Sequence, residues 1–112
     1  MSRFPQTPDG RYFVSKGRLW RTTNPKLPEA ERERLVKALM KARRDVYRDR
    51  DDAEKLKDAR SRVHAAKVAL GERGPVWWDD GAEDVLRKAP KNTRYADWWD
   101  GLSEAERKAG LS

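Results

Sequence analysis

Apolar residues recur every three or four positions along one stretch of the chain, from Pro28 to Gly71. The stretch is 44 residues long and has no proline or glycine between its two ends. The spacing places apolar side chains on one face of a helix in each half of the stretch. The first face comprises Leu35, Leu39, Ala42 and Val46. The second face comprises Leu56, Ala59, Val63, Ala66 and Leu70. The pattern therefore predicts two amphipathic helical segments.

The two apolar faces do not join into one continuous stripe, because extending the first face would place Asp49, Arg60 and Lys67 in it. Asp51 is followed three residues later by Glu54, which is the spacing of a capping box at a helix start. We therefore expect a turn near residues 48–52 and an antiparallel two-helix hairpin over residues 28–71. The alternative is one unbroken helix that dimerises as a coiled coil.

In the predicted hairpin, Ala42 lies opposite Ala59 and Leu39 lies opposite Val63. Alanine at facing positions allows two helices to approach closely. Beyond these layers, the end of the hairpin distal to the turn is apolar on several sides, so a further segment of the chain should cover it.

In the segment before the helices, the residue pattern predicts a short β-hairpin over residues 11–22. Aromatic and β-branched residues flank a Lys16-Gly17 centre, which suits a two-residue turn. This register pairs Val14 with Leu19 and Phe13 with Trp20. Residues 1–10 contain two prolines and are expected to form an irregular arm.

The last segment, residues 72–112, is rich in tryptophan. We expect a short helix at Ala82 to Lys88, a loop at Pro90 to Arg94, and a final helical turn capped by Ser103 and Glu106. Five tryptophans are candidates either for a strap that covers the apolar base of the helices or for an aromatic recognition surface. They are Trp20, Trp77, Trp78, Trp98 and Trp99.

Together these patterns predict one domain, residues 1–112, with a mainly α (α+β) fold. It comprises an antiparallel two-helix hairpin, a short N-terminal β-hairpin, and the tryptophan-rich C-terminal segment packed on its base.

The formal net charge is +7, and it is unevenly distributed along the chain. Residues 1–26 carry six Lys/Arg and one acid, a net charge of +5, whereas residues 72–112 carry seven Lys/Arg and nine acids. Cysteine is absent, which excludes disulfides and thiolate metal sites. No apolar run is long enough for a membrane span, so we expect a cytoplasmic protein without a membrane partner.

A basic stripe follows the first helix on the side opposite its apolar face. Its residues are spaced like those of the apolar face but displaced by two positions, which is about 200° around a helix of 3.6 residues per turn. With two cations of the β-hairpin it forms a candidate nucleic-acid-binding set. The set is Arg18, Arg21, Lys37, Lys41, Arg44 and Arg48. Arg11 and Lys16 add positive charge to the strands, and Tyr12 or Trp20 could supply an aromatic ring between them.

Candidate catalytic chemistry is sparse. His64 is the only histidine and is expected to be a partly buried or surface residue of the second helix. The acids from Asp79 to Asp84 do not have the spacing of a calcium-binding loop. We expect no enzyme activity, cofactor, metal or small-molecule substrate.

Three runs of residues are similar to a family of small uncharacterised proteobacterial proteins, some of which carry the label "biopolymer transporter Tol". The runs are Arg18–Arg21 with Asn24-Pro25, residues 65–78, and residues 92–98. The most specific part is Gly-Glu-Arg-Gly-Pro-Val-Trp-Trp at residues 71–78. The resemblance covers most of the chain and implies no catalytic residue.

Two functions follow from these observations. The first is a protein-interaction or adaptor module, binding a partner protein or a second copy of the chain. The alternative is weak, sequence-independent nucleic-acid binding through the basic helix face and the basic β-hairpin.

Overall fold

The computed structural model describes residues 4–112 and divides them into two compact units. One unit is the contiguous segment Thr23–Trp77, and the other joins the described residues up to Thr22 with Trp78–Ser112. Within residues 4–112 the chain forms four α-helices and one two-stranded antiparallel sheet. The predicted fold class, mainly α with an N-terminal β-hairpin and a tryptophan-rich C-terminal region, is confirmed.

The first unit contains the helical hairpin, formed by α1 (Glu29–Arg48) and α2 (Ala53–Ala69). Pro28 precedes α1, where its missing N–H costs no intrahelical hydrogen bond. The helices end and begin around the predicted turn, so the unbroken-helix alternative is wrong. The predicted cap is wrong by one residue: Asp52, not Asp51, accepts a hydrogen bond from Lys55 N at 3.1 Å. A turn in which Asp52 N donates to Asp49 O at 2.9 Å delays the start of α2 by that residue.

The core between the two helices is the predicted one. Ala42 and Ala59 are 1% and 0% exposed, as close helix approach requires. The apolar cluster at the end distal to the turn comprises Leu35, Leu39, Ala66 and Leu70, with Leu27, Val36 and Val63 packed against it.

α2 ends in a Schellman motif centred on Gly71. Gly71 N donates to Val68 O at 3.0 Å, and Glu72 N donates to Lys67 O at 2.9 Å. Gly71 has a φ of +84°, and a Cβ there would lie 3.0 Å from Asn24 and from Trp77. Only glycine therefore fits this position without displacing its neighbours.

The second unit is organised around β1 (Tyr12–Ser15) and β2 (Arg18–Arg21). The predicted register is confirmed, with Val14 opposite Leu19 and Phe13 opposite Trp20. Both outer edges of the hairpin receive further backbone hydrogen bonds. On the β1 edge, Val14 N donates to Pro5 O at 2.9 Å, so the arm that was expected to be irregular runs beside this strand from Phe4 onward. The part of the predicted arm before Phe4 lies outside the described residues.

The core of this unit is aromatic. Tyr12, Val14 and Leu19 are all 0% exposed. The Tyr12 ring lies edge-on to Trp78, with centroids 5.6 Å apart, and to Tyr95, with centroids 5.7 Å apart. Part of the tryptophan-rich segment thus packs on the inner face of the β-hairpin.

The short helix expected at Ala82 to Lys88 is wrong. Two backbone N–H groups of this segment bond to side chains instead of to helical carbonyls: Val85 N donates to the Tyr12 hydroxyl at 3.0 Å, and Leu86 N donates to the Asp84 carboxylate at 3.1 Å. The chain continues through a 3₁₀ turn (Pro90–Asn92), α3 (Ala96–Asp100) and α4 (Glu104–Leu111). The predicted Ser103/Glu106 capping box at the start of α4 is confirmed.

Candidate nucleic-acid interface

An open groove of about 710 Å³ lies beside the turn of the β-hairpin and is lined mainly by cations. Four of its seven lining residues are basic: Lys16, Arg18, Arg87 and Lys88. We call these four residues the basic groove. All belong to the unit that contains the β-hairpin.

Backbone hydrogen bonds along β2 hold the two halves of the basic groove together. Leu19 N donates to Lys88 O at 2.9 Å, and Arg87 N donates to Leu19 O at 2.7 Å. The Arg18 guanidinium also donates to Arg87 O at 3.0 Å. Residues 86 and 87 lie in a turn, and the hydrogen bonds of residues 87 and 88 to Leu19 attach this part of the chain to the outer edge of β2.

The turn itself is fixed by the end of α4. Lys16 N donates to Ser112 O at 2.8 Å, and Gly17 N donates to Gly110 O at 3.0 Å. Backbone hydrogen bonds thus fix the main chain on both sides of the groove, at the hairpin turn and at residues 87 and 88. The cationic side chains themselves are exposed to solvent.

Two of the four cations have backbones in the left-handed region. The φ angles of Lys16 and Arg87 are 54° and 72°, and among the described residues these are the only non-glycine residues with positive φ. At Lys16 the angle follows from the type I′ turn, which needs positive φ at both central residues and favours Asn-Gly. A side chain with a Cβ pays about 1–2 kcal/mol in this region. Strain of this kind at two positions of one groove is an indication of function.

Most of the positive charge in the groove is not neutralised locally. Lys88 Nζ lies 3.5 Å from a Glu83 carboxylate oxygen. Within residues 4–112, Lys16, Arg18 and Arg87 form no ion pair. Their charges are available to an anionic ligand.

The predicted basic stripe on α1 is exposed, but its members differ. Lys37, Lys41 and Arg44 form no ion pair with any described residue. Arg48 is held by two carboxylates, Asp45 at 3.2 Å and Asp49 at 3.0 Å. Its hydrogen bond keeps the pKa of Asp49 below the usual aspartate value. The three remaining cations form a second cationic surface, in the helical unit, which we call the α1 stripe.

Asp45 lies at the interface of the two helices, where the apolar pattern gave no reason to expect a carboxylate. It is 6% exposed and accepts a hydrogen bond from Arg62 of α2 at 2.9 Å. This bond, followed by the charges of Arg48 and Arg62, lowers the pKa of Asp45 against the opposing effect of desolvation. The charged network therefore joins the two helices near their turn.

The other cations of the β-hairpin have structural partners. Arg21 is 2% exposed and lies 3.4 Å from the Asp84 carboxylate. Arg11 donates to both oxygens of Asp80, and its guanidinium lies 4.8 Å from the centre of the Trp78 ring. The Arg11 hydrogen bond lowers the pKa of Asp80. The guanidinium of Arg21 is therefore not accessible to a ligand, and Arg11, just before β1, is engaged by Asp80.

The tryptophans occupy different environments. Trp78 is 6% exposed and donates from its indole N–H to Ala82 O at 2.9 Å. The other four are half-buried. Trp77 lies beside Gly71, and Trp99 lies beside Gly110, where a Cβ would approach its ring to 2.9 Å. Trp98 contacts the Tyr95 ring with centroids 6.4 Å apart.

Nothing in the described chain resembles a metal centre. Within residues 4–112 no group of three or more His, Asp or Glu side chains could hold a metal ion. Asp80 and Asp84 are engaged by Arg11 and by the Tyr12 hydroxyl, which donates to Asp84 at 2.8 Å. His64 is exposed on α2, with Nδ1 3.4 Å from the Arg73 guanidinium.

Sequence reasoning found Lys16 and Arg18 but missed Arg87 and Lys88. It assigned these two residues to a helix in an acidic segment, and no local pattern links them to the hairpin. Their position depends on backbone hydrogen bonds to Leu19, which is 68 residues from Arg87 and 69 from Lys88 along the chain.

None of the helices in residues 4–112 is long and apolar enough to span a bilayer. No protein-family model, curated protein or solved structure matches the chain.

Proposed function

We propose that the protein binds nucleic acid without sequence preference, with the basic groove as the principal phosphate contact and the α1 stripe as a second one. The observation that carries the proposal is the convergence of four cations on one groove, two of them at strained backbone positions. Exposed lysine and arginine side chains bind phosphate oxygens. These oxygens are the same whichever base the nucleotide carries, so such contacts give binding without sequence preference.

The proposal also accounts for the strain. A type I′ turn is more stable with Asn than with Lys at its first central position, and a left-handed position is more stable with Asn or Gly than with Arg. Retaining cations at both positions lowers stability and raises the local positive potential. If the groove binds a polyanion, the gain in positive potential explains why cations are kept at these two positions despite the loss of stability.

A double variant separates charge from folding. Lys16→Asn with Arg87→Asn removes two cations and places Asn where the backbone favours it, so the variant should be at least as stable as the wild type. Fluorescent oligonucleotides would be titrated against both proteins at several salt concentrations. Since each phosphate contact contributes about 0.9 to the slope of log affinity against log salt for duplex DNA, the slope should fall by about 1.8.

The matched control is Lys57→Gln with Arg60→Gln on α2. Both residues are exposed and lie outside the basic groove and the α1 stripe, and the control changes the net charge by the same amount. It should leave the slope unchanged. Absence of wild-type binding near physiological salt at tens of micromolar protein, or an equal loss in the control, would refute the proposal.

A protein-interaction role is the second candidate, and one observation favours it. Met40 and Tyr47 are 54% and 71% exposed and lie seven residues apart on α1, so they share one face. Their exposure is unusual for large apolar side chains on an amphipathic helix. A pull-down from nuclease-treated lysate would test this role. Proteins retained by the wild type should be lost with Met40→Ser/Tyr47→Ser, and retention of nothing would exclude it.

A further inference from the structure

The outer face of the β-hairpin carries two aromatic rings. Side chains alternate between the two faces of a strand. Because Tyr12, Val14 and Leu19 fill the inner face at 0% exposure, Phe13 and Trp20 lie on the outer one. They are direct partners in the register, and both are half-buried, so part of each ring remains accessible.

Both rings are held in place by neighbours in the same unit. The Trp20 indole N–H donates to Ser15 O at 2.9 Å, which directs the ring along the hairpin toward its turn. The Phe13 ring contacts Phe4, with centroids 6.0 Å apart and planes inclined by 36°. Rings that are already ordered lose little conformational entropy when a flat ligand packs on them.

The outer face is also continuous with the basic groove. Arg18 is two residues from Trp20 on the same strand, so it shares this face, and it is exposed. The same arginine lines the groove with Lys16, Arg87 and Lys88. Accessible rings therefore lie next to unneutralised positive charge. The positive charge favours an anionic partner, and the accessible rings favour a partner that presents flat rings of its own.

We infer that this face stacks the unpaired bases of a single-stranded nucleic acid while the basic groove binds its phosphates. The inference rests on the proposed function and narrows it to single strands. Bases in a duplex cover each other's faces, whereas bases in a single strand can pack on an aromatic side chain regardless of their identity. Stacking on Phe13 and Trp20 thus favours single strands and keeps binding independent of sequence.

The first test uses the wild-type protein and two fluorescent probes with the same number of phosphates. One is a short oligothymidylate, and the other is an abasic strand of equal length. Stacking of one base on an aromatic side chain should make the oligothymidylate bind about 5- to 150-fold more tightly. A duplex probe should bind more weakly than the oligothymidylate. Equal affinity for the oligothymidylate and abasic strands would overturn the inference and leave the face to another occupant.

The second test assigns the effect to the ring. Trp20→Leu keeps an apolar side chain but removes the larger of the two stacking rings, so it should reduce the preference for the oligothymidylate to what Phe13 alone supports and leave abasic binding unchanged. Trp20→Phe should retain most of the preference. Melting curves of both variants check that the fold persists.

The two proposals fail in different ways. If the wild type binds all three probes equally and Lys16→Asn/Arg87→Asn weakens each of them, phosphate binding stands and stacking is refuted. If the wild type binds none of the probes, both are refuted.

Discussion

Truncating Leu39 to alanine tests the assignment of the buried face of α1. Leu39 is 6% exposed and belongs to the apolar cluster with Leu35, Ala66 and Leu70. The neighbouring residue, Met40, is 54% exposed and provides a matched control in the same helix. Both substitutions change helix propensity only slightly and in the same direction, so the difference between them reports burial.

The expected cost follows from the atoms removed. Leu→Ala deletes three carbons, each worth about 0.8 kcal/mol when buried, which gives roughly 2.4 kcal/mol. The cavity left behind adds to this, and buried Leu→Ala substitutions range from about 2.7 to 5.0 kcal/mol. We therefore expect Leu39→Ala to lower the free energy of unfolding by about 3–4 kcal/mol. Met40→Ala should lower it by less than about 1 kcal/mol, since most of its surface is already in water.

Urea unfolding monitored by circular dichroism at 222 nm is the appropriate assay. α1 and α2 contain 20 and 17 residues and dominate the helical signal. A small protein is stable by about 5–15 kcal/mol, so the loss at Leu39 would be a large fraction of the total. Equal costs for the two substitutions, or a larger cost at Met40, would refute the assignment of the buried face.

Two further predictions follow from the turn and from a buried tyrosine. Inserting Gly-Ser between Asp49 and Arg50 lengthens a solvent-exposed turn of four residues, so it should cost only about 0.4 kcal/mol of loop entropy; loss of cooperative unfolding in the same urea assay would contradict this. Burial, with a smaller effect from the hydrogen bond to Asp9, raises the pKa of Tyr95 from 10.0 to about 12. The folded state therefore favours the neutral phenol, and this contribution to stability is complete below about pH 10 and lost as the pH rises toward 12. Tyr95→Phe should show a smaller loss of stability over that interval, and identical pH profiles for the two proteins would contradict the shift.

The helical hairpin could be predicted from the sequence because each of its determinants is local. The apolar spacing of Leu35, Leu39 and Ala42 identifies a face, and Pro28 marks where α1 begins. The Lys16-Gly17 turn likewise sets the register of the β-hairpin, because a two-residue turn leaves only one pairing. These features depend on residues close together in the chain.

The basic groove could not be predicted in full, because half of it depends on distant pairing. Nothing within a few residues of Arg87 indicates that its N–H bonds to Leu19. The same holds for Arg21, which has the composition of a surface cation but is buried against Asp84. The apolar pattern also gave no sign that Asp45 enters the helix interface, since its burial requires Arg62 from the other helix. Charged residues reveal their roles only through partners that the fold supplies.

The pairing of Leu19 with residues 87 and 88 has a consequence for the order of events on the ribosome. Translation proceeds at about 5–20 residues per second, so the β-hairpin is synthesised roughly 3–14 s before the segment that pairs with its second strand. The segment Thr23–Trp77 is contiguous in sequence and forms a compact unit of its own, and its last residue is synthesised roughly 0.5–2 s before residue 88. We therefore expect the helical hairpin to form first on the nascent chain. The outer edge of β2 stays open until the last third of the protein emerges.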